Sequence, residues 1–487
     1  MKTDEGLIAF DNKTQLAQFF TPPEIARFMA GLFERSDVRN CRLLDPGAGK
    51  GTLSHAFLER WVSKDLGFER VEVDAFEIDS NLCSSLEQVL GEYCAYAGCS
   101  VNIRNDDFIY SASDWLCGGL FAPKLSKYTH AILNPPYKKI RSDSKYRLAL
   151  RRACIETVNL YTAFVGLSLA LLDDQGQLVA IIPRSFCNGP YYRQFRDYLL
   201  EYAAIKHIHL FDSRVEAFKD DGVLQENLII MLKRNGIQGP VTISTSTDNT
   251  FANSTLHEYP FEEIVLPDDP EKFIRIPTSP ERNPIDTSSY LQYSLADLGV
   301  TVSTGPVVDF RVKEHLRDMP TTGTAPLLYP MHFSDRGVSW PQKRGKKANA
   351  IMINRETGKW LYPNGYYCVV RRLSSKEEKR RLVASVVEPQ TFVDASMLGF
   401  ENHLNVLHQE KRGLDEYLAR GLALFLNSTI ADDYFRRFNG HTQVNATDLR
   451  LMKYPSRAML MELGSWAKHQ KVLTQKIIDA KLAAMIL

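Results

Sequence analysis

The sequence predicts an α/β fold: a Rossmann-like, doubly wound, mostly parallel sheet, followed by a C-terminal mixed α+β domain. Three observations lead there. Short apolar runs alternate with helical patterns between residues 42 and 183; a glycine-rich turn follows the first run; and near residue 236 the chain becomes polar and turn-rich. Parallel strands need long crossover connections, normally helices, so this alternation implies a parallel sheet.

The elements follow in order. "RLLD" (42–45), "VEVDAFEI" (71–78), "VNIRNDDF" (101–108), "HAILN" (130–134) and "GQLVAIIP" (176–183) are strands by their β-branched, apolar character. "TLSHAFLERWV" and "NLCSSLEQVLGEYCAYA" are the helices between the first three, and "NLYTAFVGLSLALLDD" precedes the fifth. "HIHLFD" and "QENLIIMLKR" add later strands that complete the sheet. The polar stretch from Gly236 and the Pro-bearing stretch 266–284 form a connector. Beyond Ser294 come short β-like pieces and basic clusters, then closing helices, "LDEYLARGLALFLN" among them. The expected domains are therefore 1–235, a connector 236–293, and 294–487.

At 487 residues, with 44% apolar and 24% charged side chains, the chain is a globular protein of two or three domains. No run approaches a membrane span and Met1 to Phe10 lacks a signal-peptide pattern, so a cytoplasmic location is expected. Eight scattered cysteines form no C-x-x-C pair, which argues against a zinc site or a disulfide framework; no metal is expected. The net charge of +1 conceals an asymmetry. Residues 301–487 carry 28 Lys and Arg against 18 Asp and Glu, and the first 300 carry 31 against 40. A basic rear half suits a polyanion.

The front half holds a cluster of candidate binding groups. "LLDPGAGKGTL" (43–53) follows the first strand and opens a helix; Gly47, Gly49 and Gly51 let a ligand approach the backbone. The spacing is not that of a phosphate loop. Asp45 closes the strand, where it can accept from an ammonium group or hold water beside one. Glu77 ends the second strand, where a carboxylate can accept both hydroxyls of a ribose; Asp79 is its competitor, and either can instead cap a helix. At the third strand Asp107 can accept from an adenine amino group with Phe108 against the ring, or Asp106 and Asp107 can cap a turn. Three strand tips thus describe a nucleoside cofactor without phosphates.

Beside them, the fourth strand ends in Asn134, Pro135, Pro136 and Tyr137. Proline cannot continue a sheet ladder, so the strand stops there. The exocyclic amine of a nucleobase is a poor nucleophile because its lone pair is delocalised into the ring. Two acceptors aimed at its hydrogens draw the nitrogen towards a reactive tetrahedral form. The Asn134 side-chain oxygen supplies one and the Pro135 carbonyl the other, and Tyr137 offers a flat face to a base taken out of the stack.

At these residues the chain resembles the gamma class of N6-adenine DNA methyltransferases, which use S-adenosyl-L-methionine, and within it the TaqI and especially the BsuBI/PstI type of modification methylase. "FFTPPEIARFMAGL" precedes "DPGAGKG", which precedes "NPPY", with the basic region last; "VSTGPVVDFR" (302–311) and "GHTQVNATDLR" (440–450) extend the likeness over most of the chain. The resemblance implies that Thr21 and Pro22 to Glu24 pack on the cofactor's methionine end. It implies that Asp45, Pro46, Gly47 and Gly49 form the cofactor loop, Glu77 with Ile78 the ribose acceptor, and Asp107 with Phe108 the adenine pocket. Asn134 to Tyr137 match the catalytic tetrapeptide, with Phe218 as the second aromatic against the flipped base. Transfer to cytosine N4 is the alternative chemistry, though such enzymes more often carry Ser where Asn134 stands; RNA or protein-glutamine methylation is a third reading.

Double-stranded DNA is the partner implied, read by the rear domain. "PQKRGKKANA" and "RRLSSKEEKRR" give phosphate contacts through Lys343, Arg344, Lys346, Lys347, Arg371 and Arg372. His441, Gln443 and Asn445, with Asn402 and His403, can reach base edges, or simply cap loops. No nuclease-like segment precedes Thr21, so modification without cleavage is expected, with a separate cognate restriction endonuclease. A monomer is expected.

Overall fold

A computed structural model of the protein describes residues 20–36, 38–118, 127–211, 226–247, 251, 253–267, 269–277, 290–334, 337–343, 347–374, 378–439, 443–470 and 472–486. They fall into two compact units, dividing between residues 278 and 279.

The first unit opens with α1 (Pro23–Gly31), entered through Pro22 at its N-cap; a proline at the first helical position loses no hydrogen bond. Strands and helices then alternate: β1 (Asn40–Pro46), α2 (Thr52–Val62), β2 (Arg70–Phe76), α3 (Ser80–Gly91), β3 (Cys99–Arg104), α4 (Phe108–Cys117), β4 (Tyr128–Leu133), α5 (Lys145–Arg152), α6 (Leu160–Leu171) and β5 (Leu172–Pro183). Next come α7 (Arg193–Tyr202), β6 (Ala203–Phe211), β7 (Asn227–Arg234), β8 (Val241–Ser246), β9 (Thr255–Tyr259) and the short α8 (Phe261–Ile264).

The nine strands form one sheet in the order β3-β2-β1-β4-β5-β7-β6-β8-β9. β1 to β5 run parallel, and β7 is antiparallel to both β5 and β6. Side chains alternate between two cores, as a sheet covered on both faces requires. Leu43, Ile132, Val179 and Ile181 enter one core, and Leu44, Ala131, Leu133, Leu178, Ala180 and Ile182 the other. α6 is buried along almost its whole length and fills the second core. The strand order reverses between β1 and β4, so their carboxyl ends open the crevice where such sheets bind ligands.

Two departures of the observed boundaries from the sequence reading matter most. The stretch from Gly236 is not wholly a connector: β8 extends the sheet beside β6 and β9 pairs with β8, so the first unit continues well beyond residue 235. Its alternating Val241, Ile243 and Thr245 pattern is short and flanked by polar residues, which masks a strand. The third strand ends at Arg104, four residues earlier than expected, because Asp107 begins a helix.

The second unit is mixed α+β. β10 (Thr301–Thr304), β11 (Leu316–Arg317), β12 (Thr324–Leu328), β13 (Phe333–Ser334), β14 (Gly337–Val338), β15 (Ala350–Met352), β16 (Tyr362–Pro363), β17 (Tyr367–Arg371), β18 (Ala384–Val387), β19 (Met397–Phe400) and β20 (Leu404–His408) precede its helices. They form sheets ordered β10-β20-β17-β18 and β11-β15-β12-β19-β16, with β13 and β14 paired apart. α9 (Glu416–Leu426), α10 (Thr429–Phe438), α11 (Ala446–Leu451), α12 (Arg457–Lys468) and α13 (Gln475–Ile486) follow. α9 and α12 approach so closely that a Cβ on Gly421 would stand 1.9 Å from the Leu460 carbonyl oxygen, and one on Gly464 1.9 Å from that of Tyr417.

Candidate active site

The loop after β1 passes through Gly47, Gly49 and Gly51 at φ of +77°, +56° and +81°, the left-handed region that favours glycine. The loop is tied to the end of β2. The Gly47 and Ala48 amides donate to the Phe76 carbonyl at 2.9 and 2.8 Å. The Gly49 amide donates to Glu77 Oε2 at 2.8 Å, and the Asp79 amide donates to Glu77 Oε1 at 2.8 Å. Glu77 is therefore held in place by two backbone donors, and its burial pushes the carboxyl above the usual range. Asp79 is the helix cap of the pair, accepting from the Asn81 amide that starts α3.

Asp45 is completely buried. Ser54 Oγ donates to its Oδ2 at 2.6 Å, and among the described residues no group donates to Oδ1 within hydrogen-bond geometry. Desolvation pushes this carboxyl up to about 7. A buried acceptor without a donor is costly, and a cationic group beside it would relieve that cost.

At the third strand end Asp107 takes the capping role. Its Oδ1 caps α4, accepting from the amides of Ile109 and Tyr110 at 2.9 and 3.4 Å. Its Oδ2 accepts from the Tyr146 hydroxyl at 2.6 Å. Phe108 packs edge-on against Phe76 and tilted against Phe164, with ring centroids 5.3 and 5.2 Å apart.

The tetrapeptide follows β4 directly. The Asn134 amide sits between two partners: its Nδ2 donates to Thr21 Oγ1 at 3.0 Å, and its Oδ1 accepts from the Tyr137 hydroxyl at 3.0 Å. The same hydroxyl lies 3.3 Å from the Ile181 carbonyl oxygen. Burial keeps the Tyr137 phenol protonated, so it remains a donor. Thr21, 113 positions away in sequence, thus helps orient this amide. The half-buried Tyr137 ring stands edge-on to Tyr161 at 6.2 Å.

Several of these groups meet at a cavity of about 310 Å³, within the ordinary size range for a small-molecule site. Gly47, Gly49, Glu77, Ile78, Asp107, Phe108, Asn134 and Pro136 all line it, as does Asp106. Asp45, Thr21, Pro22, Pro46, Pro135 and Tyr137 are not part of its wall. Sequence reasoning missed Phe20, Lys138, Ile140, Ser144, Tyr146, Leu160 and Phe164 on that wall. Phe20 lies against the glycine loop, its ring 4.7 Å from the Lys50 ammonium. The "FFTPP" stretch was the available signal for Phe20; Phe164 sits in a run that reads as plain helix, and the run around Tyr146 carries no motif.

The rear candidates have mostly intramolecular partners. Lys347 pairs with Asp309 at 2.5 Å, Arg371 with Glu378, and Arg372 donates to Gln443 Oε1 and the Asn402 carbonyl, both at 3.2 Å. Asn445 makes a capping box with Asp448 at the start of α11, and His403 Nδ1 lies 2.6 Å from Glu401. Lys343 is exposed. Arg344, Lys346, His441 and Phe218 lie outside the described residues. Among the described residues no group of acidic, histidine and cysteine side chains has metal-site geometry, and no helix is long and apolar enough to cross a membrane.

Comparison with known proteins identifies the family. Residues 110–218 match the Eco57I restriction-modification methylase family. The chain is 52% identical to the type II methyltransferase M.BsuBI of Bacillus subtilis, over 98% of this chain and 95% of that one. It is 40% identical to M.PstI of Providencia stuartii, over 97% and 94%. Among solved structures, the fold is similar to the type IIL restriction-modification enzyme MmeI in complex with DNA, at a TM-score of 0.51 and 11% identity, over 99% of this chain and 72% of that one. A DrdV–DNA complex gives a TM-score of 0.52 and 13% identity, over 93% and 57%. At near full-length identity of this order, the chain belongs to the BsuBI/PstI family of type II DNA methyltransferases of restriction-modification systems.

Proposed function

We propose that this protein transfers the methyl group of S-adenosylmethionine to the N6 nitrogen of an adenine extruded from duplex DNA. The observation that carries the reading is the Asn134 amide, oriented by Thr21 and Tyr137, on the wall of the cavity that also presents Glu77 and Asp107.

The residues suit that cofactor. The orphaned Asp45 Oδ1 matches an ammonium group, the glycine loop admits a close approach, Glu77 suits a ribose diol, and Phe76, Phe108, Ile109 and Phe164 give an apolar slot for a purine. When bound there, S-adenosylmethionine supplies an electrophilic methyl carbon on a positively charged sulfur. The protein's part is to prepare the acceptor. Asn134 Oδ1 takes a hydrogen bond from the exocyclic amine and localises its lone pair, and the Pro135 carbonyl takes the second hydrogen. With that methyl carbon in place, the nitrogen so prepared would take it up as the sulfur leaves with the bonding pair, and the surplus amine proton would pass to solvent. No side chain need act as a strong base, because the methylated nitrogen is cationic and acidic until it loses that proton.

Asn134 at this position favours adenine over cytosine N4. The second unit, with its basic clusters, is read as the part that recognises the duplex, in a cytoplasmic monomer paired with a separate nuclease. The test is Asn134→Ala. Methyl transfer to DNA is expected to be abolished while S-adenosylhomocysteine still binds. A variant that methylates at the parent rate overturns the assignment.

A further inference from the structure

The segment that follows the tetrapeptide carries Lys138, Lys139 and Arg141, all exposed and all on the cavity wall. Its backbone is strapped to the turn before α6. The Leu160 amide donates to the Lys138 carbonyl and the Ile140 amide to the Val158 carbonyl, both at 2.8 Å, and Lys139 bridges Asn159. Ile140, 7% exposed, anchors the middle of the strap in the core. Three cations are thereby held at the cavity by a segment whose backbone position is fixed.

Their charge does not suit the cofactor. S-adenosylmethionine carries a sulfonium and an ammonium against one carboxylate, so its net charge is positive. Its methionine end is assigned to the side of Thr21 and Asp45, whereas the strap leads from Pro136 to Ser144 and Tyr146, whose hydroxyl reaches Asp107. The anion this segment can serve is the other substrate. A nucleotide turned out of a duplex must have its flanking phosphates held near the catalytic group, and lysine supplies such contacts without reading sequence. Arg141 pairs with Asp143 at 3.4 Å through side chains 84% and 70% exposed, and such a pair exchanges readily for a phosphate.

Resting on the methyl-transfer reading above, we propose that Lys138, Lys139 and Arg141 form a phosphate clamp on the catalytic unit itself, gripping the DNA backbone beside the extruded base. This anchor is separate from the basic clusters of the second unit.

The test is the full-length Lys138→Gln/Lys139→Gln variant, titrated with a duplex oligonucleotide across a series of salt concentrations and, separately, with S-adenosylhomocysteine. Each phosphate contact releases about 0.9 counterion, so at about 0.15 M salt losing one weakens binding roughly fivefold and losing two roughly thirtyfold. The slope of log affinity against log salt is expected to become shallower by about one to two. Cognate and non-cognate duplexes should weaken by similar factors, with cofactor-product affinity unchanged. An unchanged slope with normal DNA affinity overturns the clamp and leaves the methyl-transfer reading standing. Loss of S-adenosylhomocysteine binding with intact DNA binding overturns it in favour of a cofactor role. A parent chain that binds no duplex at any salt defeats both readings together.

Discussion

Replacing Thr21 by Val tests whether the N-terminal segment controls the catalytic amide. Thr21 is 8% exposed, and its Oγ1 accepts from Asn134 Nδ2 at 3.0 Å. Valine keeps the shape and removes the acceptor that Thr21 Oγ1 offers to the half-buried Asn134 amide. A donor deprived of its acceptor costs about 1–3 kcal/mol. The Asn134 amide escapes that cost only by turning away from its productive orientation. If the whole cost falls on the reactive geometry, the rate of transfer drops roughly 5- to 150-fold. The assay is single-turnover transfer of labelled methyl groups to duplex DNA with both substrates saturating, beside a titration with S-adenosylhomocysteine. The rate constant is expected to fall by more than the affinity, and Thr21→Ser is expected to restore it. A Thr21→Val protein as fast as the parent, or a Thr21→Ser protein as slow as Thr21→Val, would refute the positioning role.

Three further outcomes are expected. Tyr146→Phe removes the hydroxyl that holds Asp107 Oδ2 at 2.6 Å, so S-adenosylhomocysteine should bind about 5- to 20-fold more weakly; unchanged affinity in calorimetry counts against Asp107 as an adenine contact. Asp45 is pushed up to about 7 from its ordinary 3.8, so the folded, ligand-free chain holds a proton that the unfolded chain releases first, and the group's contribution to stability falls as pH rises between those values. Asp45→Asn should therefore gain stability relative to the parent from pH 5 to pH 8 in denaturant titrations, and a difference constant with pH would contradict the burial argument. Gly421→Ala places a methyl 1.9 Å from the Leu460 carbonyl oxygen, where only backbone can yield; a loss of about 3 kcal/mol or more is expected, and an unchanged melting temperature would rule out that packing.

The parallel core was legible because the central strands β1, β4 and β5, buried over most of their length, read as near-continuous apolar runs. The strands after Gly236 were obscured because β8 and β9 lie at the sheet edge, where polar residues are tolerated and alternation is weak. The site was legible wherever chemistry needs an unusual residue: glycines at positive φ, a carboxylate at a strand tip, prolines ending β4. It was obscure wherever a common residue does the work through distance, as Thr21 does for Asn134 or Tyr146 for Asp107. In the second unit Asn445 and Arg372 looked available for DNA, yet sequence alone does not reveal the capping box or the Gln443 contact that engage them.

The most direct measurement is to incubate the protein with methyl-labelled S-adenosylmethionine and duplex DNA, digest the product to nucleosides and identify the labelled one. N6-methyladenine is the expected product, absent when Asn134 is Ala. Label in N4-methylcytosine, or in RNA or protein while DNA stays unlabelled, would contradict the adenine reading.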